Sequence, residues 1–266
     1  MDDFDLPEEL FWAGTPEATA ENHLKQKEMA LLGELVRAFQ TYRMPACQQH
    51  LQGCSRRLLM MQHARIEILA TSHEETKPLA SDRLNLLNIC LNSFYLNLLG
   101  ALDNLAWATT WELGLLDSID ESSDSVRKFC SIAGRSFLQA IDARDAAFGK
   151  WLSEQKPWIV EIKKFRDPAA HRLPLAIVRG LMTEEEGQRY QELSRQSFDA
   201  TLAGRWQESE TLQAEADALG KFVPYLDGPR AANNGIYIVP NQMAADQRKF
   251  LSLTHDFLKH LARASA

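Results

Sequence analysis

A chain of 266 residues with 45% apolar and 24% charged residues has the composition of a globular protein with a substantial core, which excludes an intrinsically disordered chain. Its net charge of −7 argues against a surface that coats nucleic acid, although it leaves room for a small basic site. The acidic opening residues lack the features of a signal or transit peptide, so we expect a cytoplasmic protein.

Apolar residues that recur at three- and four-residue steps predict three helices in the first half of the chain. We place them at residues 17–42, 46–72 and 81–115, with Lys77-Pro78 as the break between the second and the third. The third is the most apolar segment, but asparagines interrupt it, and this favours a buried helix over a membrane span. Its small and polar positions at helical spacing predict the close approach of another helix; they are Ser93, Asn97, Gly100 and Asn104.

The second half of the chain combines helical patterns with short β-like runs. The helical patterns cover four segments, at residues 124–140, 143–165, 183–220 and 241–263. The third of these opens with a Thr183–Glu186 capping box and has Gly204 near its middle, which predicts a helical hairpin. The runs 174–178 and 235–239 are expected to pair as a ribbon.

Together these patterns predict an all-α fold. We expect one domain over residues 1–266, built as an antiparallel helical bundle with a minor two-stranded β-ribbon. The segment 183–220 would be a helical-hairpin insert in this bundle.

The cysteines give no sign of a metal or redox site. Cys47, Cys54, Cys90 and Cys130 form no CxxC pair and are expected to be reduced thiols. Cys47, His50 and Cys54 share a helical face that could begin a zinc site, but a fourth ligand is not evident and small thiols are common in cores. Phosphate-loop and nucleophile-elbow patterns are also missing from the sequence. We therefore predict no metal and no cofactor.

The strongest functional signal lies in the basic segment 156–179, which carries a net charge of +4 while the remainder of the chain carries −11. Within it, Arg166-Asp167-Pro168 is followed by His171. A residue before proline avoids the α region, so we expect the helix to break at Asp167, which would cap a new turn. Arg166 and His171 would then face one pocket, flanked by three further cations: Lys163, Lys164 and Arg172.

An arginine and a histidine in one pocket suit the cleavage of an RNA phosphodiester. The imidazole can remove the 2′-hydroxyl proton or protonate the leaving oxygen, and the guanidinium can hold the phosphate and stabilise its charge. No metal is required. The spacing alone is unspecific, because four other pairs repeat it: Arg43/His50, Arg56/His63, Arg57/His63 and Arg248/His255. The polar residue after the arginine, the expected helix break and the local positive charge distinguish Arg166/His171.

The sequence Arg-Asp-x-x-Ala-His at 166–171 resembles the R-x4–6-H motif of the HEPN superfamily, small helical bundles common in prokaryotic toxin and defence systems. In that superfamily the residue after the arginine is often Asn, Asp or His, and Asp167 fits. The longer string FRDPAAHRLPL looks like that of a group of bacterial HEPN-like proteins, and a long helix containing LLGALDNLAW precedes it, as the bundle order requires. The resemblance covers residues 84–175.

This resemblance implies a metal-independent endoribonuclease of a toxin or anti-phage defence type, with its active site at a homodimer cleft. It implies that Arg166 and His171 are catalytic and that Asp167 supports them, while Lys163, Lys164 and Arg172 would bind RNA phosphates. The expected partners are RNA, a second copy, and a cognate antitoxin or defence partner, with no membrane and no DNA. Leu173 stands where one subgroup carries a modified tyrosine, so that regulation is not expected.

Two alternatives stay open at this point. The chain could be a catalytically inactive HEPN-like module that binds nucleotide, RNA or a protein, or a structural helical oligomer that docks through the 183–220 insert. The overall acidity favours both. Asp167 and the flanking cations could serve only in capping and on a solvated face. Asp103 and Asn104 could reach into the cleft, or they could satisfy neighbouring buried polar groups.

Overall fold

The structure is a computed structural model that describes residues 16–74, 77–171, 174–178, 180–227 and 237–266. Within these ranges nine helices and one two-stranded sheet form the regular structure, which confirms the predicted, mainly α-helical class. The helices are α1 (Pro16–Thr41), α2 (Pro45–Glu74), α3 (Ser81–Glu112), α4 (Asp124–Phe129), α5 (Arg135–Arg144), α6 (Ala146–His171), α7 (Glu184–Leu202), α8 (Trp206–Asp217) and α9 (Val239–Ser265). The strands are β1 (Ala176–Ile177) and β2 (Leu226–Asp227).

The chain divides into two compact units, each assembled from separate segments. The first unit takes the chain up to Gln62, Phe94–Arg172 and Ala245–Ala266, and the second takes His63–Ser93 and Leu173–Ala244. The stretch 84–175, which contains the Arg166–His171 motif, therefore contributes residues to both units. The single domain over 1–266 stays a prediction.

In the first unit, the C-terminal helix α9 packs against α6 in antiparallel fashion. The Trp158 indole donates to Asp246 Oδ1 at 3.2 Å, while the Phe148 and Phe257 rings meet edge to face at 5.0 Å. The contact moves from Trp158 back to Phe148 in α6 while it moves from Asp246 forward to Phe257 in α9, as antiparallel helices require. Asp246 is 4% exposed and also accepts from the Tyr95 hydroxyl at 3.1 Å, so its carboxylate joins α3, α6 and α9.

The pairing of α1 with α9 departs from the predicted antiparallel arrangement. Gln247 donates to Glu28 Oε1 at 2.6 Å, and further along both helices His255 Nδ1 lies 2.7 Å from Glu34 Oε2. Because both contacts advance in the same chain direction, α1 and α9 run parallel. Helices that are distant in sequence are free to pack in this way, since no short connection forces the chain to turn back.

Helices α2 and α3 pack closely through two glycines, as the small and polar positions of α3 predict. A Cβ on Gly53 would lie 2.1 Å from the amide nitrogen of Asn104, and a Cβ on Gly100 would lie 2.5 Å from Nη1 of Arg57. Each helix thus offers a glycine on which a polar side chain of the other helix lies. The two contacts run in opposite chain directions, so α2 and α3 are antiparallel.

The asparagines that interrupt α3 have a structural use in the second unit. The Asn92 side chain accepts from the Leu175 amide at 2.9 Å and donates to the Leu175 carbonyl at 2.8 Å, and Asn88 accepts from the Ile177 amide at 2.8 Å. These side chains bind the backbone of β1 and of the residue before it.

Among the described helices, α3 alone is long and apolar enough to span a membrane by length and composition. In its most apolar stretch of 18 residues, 44% is buried inside the protein.

The insert is the helical hairpin that the sequence predicts. Thr183 accepts from the Glu186 amide and the Glu186 carboxylate accepts from the Thr183 amide, which completes the capping box at the start of α7. Gly204 turns the chain between α7 and α8 with φ +72°, a conformation that favours glycine. We call residues 184–217 the arm.

The two-stranded ribbon exists, but its pairing differs from the prediction. β1 pairs antiparallel with Leu226–Asp227 instead of with residues 235–239. Ile238 forms a bridge with Tyr225 on the other side of that segment, and residues 235–236 lie outside the described ranges. Short apolar runs carry no information about which partner they choose, because pairing depends on contacts far apart in the chain.

The predicted helix 124–140 is also wrong in extent, because the chain forms α4 and α5 with Gly134 between them. α5 then turns into α6 at Asp145, whose carboxylate accepts from the Phe148 amide at 3.0 Å. Gly149 in α6 faces the backbone of α5, where a Cβ would lie 2.5 Å from the Asp142 Cα and 2.8 Å from its nitrogen.

Gly149→Ala should therefore destabilise the protein by about 1–3 kcal/mol, because backbone atoms would have to move apart. Gly187→Ala is the matched control, since a Cβ there meets nothing within 4 Å and alanine favours the helix by about 1 kcal/mol. Urea unfolding followed by circular dichroism would measure both free energies. A Gly149→Ala protein as stable as the Gly187→Ala protein would contradict the close α5–α6 contact.

Candidate functional site

The helix that carries the Arg–His motif does not break where the sequence predicts. α6 runs without interruption from Ala146 to His171, through both Pro157 and Pro168. Asp167 is therefore inside the helix and is not an N-cap. On both sides of Pro157 the helix is held by α9, since Gln155 accepts from Lys249 at 2.8 Å and Trp158 donates to Asp246. Such contacts offset the hydrogen bond that Pro157 removes.

This continuity determines the angle between positions 166 and 171 around the helix axis. Each helical residue advances the direction by about 100°, so positions 166 and 171 lie about 140° apart around the helix. His171 is the last residue of α6, and its side chain lies outside the described part of the structure, as does Arg172. In one chain the two motif positions therefore face different sides.

Arg166 lies near a half-buried carboxylate of α3. Its side chain is 33% exposed and contacts the Asp167 carboxylate at 3.2 Å. Burial raises the pKa of Asp103, while the positive charges of Lys163, Arg166 and Arg57 act to lower it, as does the Ile132 amide that donates to it at 3.2 Å. The motif arginine and Asp103 thus belong to one electrostatic neighbourhood.

Arg57, Lys163 and Arg166 form what we call the basic cluster around Asp103. Lys163 Nζ donates to the Ser131 hydroxyl at 3.2 Å, and Arg57 Nη1 donates to the Asn97 side chain at 3.1 Å. Among the described residues, no carboxylate lies within ion-pair distance of Arg57 or Lys163. Three cations against two carboxylates, Asp103 and the Asp167 partner of Arg166, leave an excess of positive charge that an anion can neutralise.

Arg57 is the member of this cluster that sequence reasoning missed. Its spacing to His63 repeats the motif spacing, which is unspecific by itself, and Arg57 is remote from Arg166 in the chain. Its guanidinium reaches α3 because Gly100 leaves room for it. The one available signal was Gly100 itself, a small residue at helical spacing from Asn97 and Asn104.

The other predicted site residues have structural partners. Lys164 pairs with Glu161 at 2.5 Å one turn earlier on α6. Asn104 donates to the His50 carbonyl at 3.1 Å and lies against Gly53. Asp103 also satisfies a backbone amide, but the nearby cations give it an electrostatic role in addition.

The Cys47, His50 and Cys54 group has no metal-binding arrangement. Burial raises the pKa of each thiol to about 12, helped at Cys47 by the nearby Glu112 carboxylate, so both stay protonated. The His50 ring stacks on Trp107 and its Nε2 lies 3.1 Å from Glu121. Within the described ranges, no three histidine, cysteine or acidic side chains are placed to hold a metal ion.

The net acidity of the chain is concentrated in two segments. Residues 1–15 contain five acids and no base, and the arm contains nine acids and three arginines, a net charge of −6. The rest of the chain, residues 16–183 and 218–266, carries +4. The basic cluster therefore lies in the part of the chain that is positively charged.

Comparison of the chain with family models, with curated proteins and with solved structures finds no match.

The raised pKa of Asp103 has a measurable consequence for stability. The native state retains its proton at pH values where the unfolded chain has lost it, so this group reduces stability as pH rises above the ordinary aspartate range. Asp103→Asn keeps an oxygen for the Ile132 amide and removes the charge. We expect the variant to be more stable than the wild type at pH 7–8, with a difference that disappears below about pH 4.

Thermal unfolding across this pH range, beside Asp124→Asn at an exposed carboxylate, would measure the effect. If Asp103→Asn alone were less stable than the wild type at pH 7–8, the attraction of the Asp103 carboxylate to the basic cluster would outweigh the cost of burying its charge, and the prediction would be wrong.

Proposed function

We propose that the protein is a metal-independent endoribonuclease that uses Arg166 to bind the scissile phosphate and His171 as general acid or base. The observation that carries this proposal is the basic cluster, because it joins the motif arginine to two cations without carboxylate partners in the described residues. Clustered arginine and lysine side chains are suited to the charged oxygens of a phosphodiester.

The distribution of charge supports RNA as the substrate. The overall acidity of the chain would oppose RNA binding, but it comes from residues 1–15 and from the arm. A surface with a net charge of −6 repels a polyanion, so the arm is not the RNA-binding element. RNA would bind the helical part that carries +4, with Lys163 and Arg172 contacting neighbouring phosphates.

The proposed reaction uses the 2′-hydroxyl of RNA as the nucleophile. A general base removes its proton, the oxygen attacks the adjacent phosphorus, and the 5′-oxygen leaves with a proton from the general acid. The products are a 2′,3′-cyclic phosphate and a 5′-hydroxyl end. The guanidinium of Arg166 would stabilise the charge on the phosphoryl oxygens, and Asp167, in contact with Arg166, would orient it.

A homodimer is part of the proposal because of the geometry of α6. Positions 166 and 171 diverge by about 140° in one chain, and a two-fold axis can bring Arg166 of one copy near His171 of the other. The proposed biological setting is cytoplasmic, as a toxin or anti-phage effector with a cognate antitoxin or defence partner.

The same geometry favours a second candidate function. If no partner copy completes the pair, an unbroken α6 leaves a cluster that binds phosphate, with position 171 on a different side of the helix from Arg166. The chain would then be a catalytically inactive module that binds RNA or a nucleotide.

Incubation of purified protein with RNA in EDTA, followed by identification of product ends, distinguishes the two candidates. We expect cleavage with 5′-hydroxyl ends, reduced about 10²–10⁴-fold in His171→Ala and about 10²–10³-fold in Arg166→Ala. The control is the double variant Arg56→Ala/His63→Ala, which removes an exposed pair with similar spacing and should cleave normally. RNA binding without cleavage would identify the inactive module.

A mixing experiment tests the shared site. If each site takes Arg166 from one copy and His171 from the other, Arg166→Ala and His171→Ala proteins are each inactive, but their heterodimer regains one intact site. Refolding an equimolar mixture should then restore about a quarter of wild-type activity, because half the dimers are mixed and each has one working site. A mixture as inactive as its components, although heterodimers form, would contradict a site shared between copies.

A further inference from the structure

A second polar site lies in the first unit, between the parallel helices α1 and α9. It is a cavity of about 300 Å³, and its polar lining includes Lys27 and Glu34 from α1 and Arg248 and His255 from α9. Leu31 and Leu251, which are 3% and 4% exposed, form its apolar floor. Its volume is at the small end of the range for ligand pockets, so it suits a small molecule and not a polymer.

His255 has a defined orientation in this cavity. Its Nδ1 lies 2.9 Å and 2.7 Å from the two carboxylate oxygens of Glu34. A carboxylate only accepts hydrogen bonds, so Nδ1 is the donor and Nε2 is available for another partner. The contact with Glu34 therefore orients the ring and leaves Nε2 free of Glu34.

Lys27 and Arg248 bring two positive charges to the same cavity. Among the described residues, no carboxylate lies within 4.0 Å of either side chain. Lys27 directly precedes Glu28, and Arg248 directly follows Gln247. The hydrogen bond between Glu28 and Gln247 holds α1 and α9 together beside the two cations. The packing of α1 against α9 thus positions the two cations, although neither forms an ion pair with a described carboxylate.

We propose that this cavity binds a small phosphomonoester whose organic part lies on the Leu31–Leu251 floor. Lys27 of α1 and Arg248 of α9 offer several charged donors, and His255 Nε2 can accept the hydrogen of a monoprotonated phosphate oxygen, which suits a phosphate better than a carboxylate. Glu34 also lines the cavity, and both of its carboxylate oxygens lie within hydrogen-bond distance of His255 Nδ1. The site is separate from the basic cluster, which involves α2, α3 and α6, and it does not depend on ribonuclease activity.

Titration calorimetry of the full chain with phenyl phosphate, inorganic phosphate and benzoate tests this proposal. Phenyl phosphate should bind most tightly, because it combines the charge with contact to the apolar floor. Arg248→Gln and Lys27→Gln should each weaken its binding about tenfold or more, since each removes a charged hydrogen bond. Arg263→Gln and Lys25→Gln remove the same charges from other exposed positions of α9 and α1 and should bind as the wild type does.

Three results would overturn the proposal. They are equal weakening by the control variants, equal affinity for benzoate, or no binding of phenyl phosphate at millimolar concentration. Circular dichroism of every variant would establish that the helices are intact, so that weaker binding reports on the cavity. RNA cleavage is measured separately with the Arg166 and His171 variants, and either proposal can therefore fail without the other.

Discussion

The buried carboxylate of Asp246 is the contact on which the positions of the site helices depend. It accepts from Tyr95 of α3 at 3.1 Å and from Trp158 of α6 at 3.2 Å, and it belongs to α9. A buried carboxylate is costly unless hydrogen bonds satisfy it, so the donors from α3 and α6 favour the packing of both helices against α9. The Tyr95 ring also stacks on Phe165, with ring centroids 4.7 Å apart, directly before Arg166. The motif arginine therefore follows directly after a packed residue of α6.

The separation of charge along the chain gives the two proposed sites a common physical basis. Acids collect in the first fifteen residues and in the arm, while the remaining chain has more cations than anions. Two groups of those cations, at Arg57 and Lys163 and at Lys27 and Arg248, have no carboxylate partner among the described residues. The half-buried Arg57 and Lys163 gain most from an anionic ligand, because water screens their charges less than those of the exposed Lys27 and Arg248.

The arrangement of glycines along α2 and α3 shows how packing assembles the basic cluster. Gly53 accommodates Asn104, and Gly100 accommodates Arg57, so neither polar side chain is expelled to solvent. This packing brings Arg57 near Asp103, although Arg57 belongs to α2, which lies far from the motif in the chain. The cluster is a product of helix packing as much as of the segment that contains Arg166.

The sequence by itself determined the features that depend on neighbours within a few residues. The helical periodicity, the Thr183–Glu186 capping box, the Gly204 turn and the acidity of the arm could all be predicted, because propensity, capping and charge act locally. Only the tertiary structure decided whether α6 continues through Pro157 and Pro168, which strand pairs with β1, that α1 and α9 run parallel, and that Arg57 joins Arg166. A proline inside a helix costs about 3 kcal/mol, an amount that packing elsewhere in the chain can offset, and no local rule contains that packing.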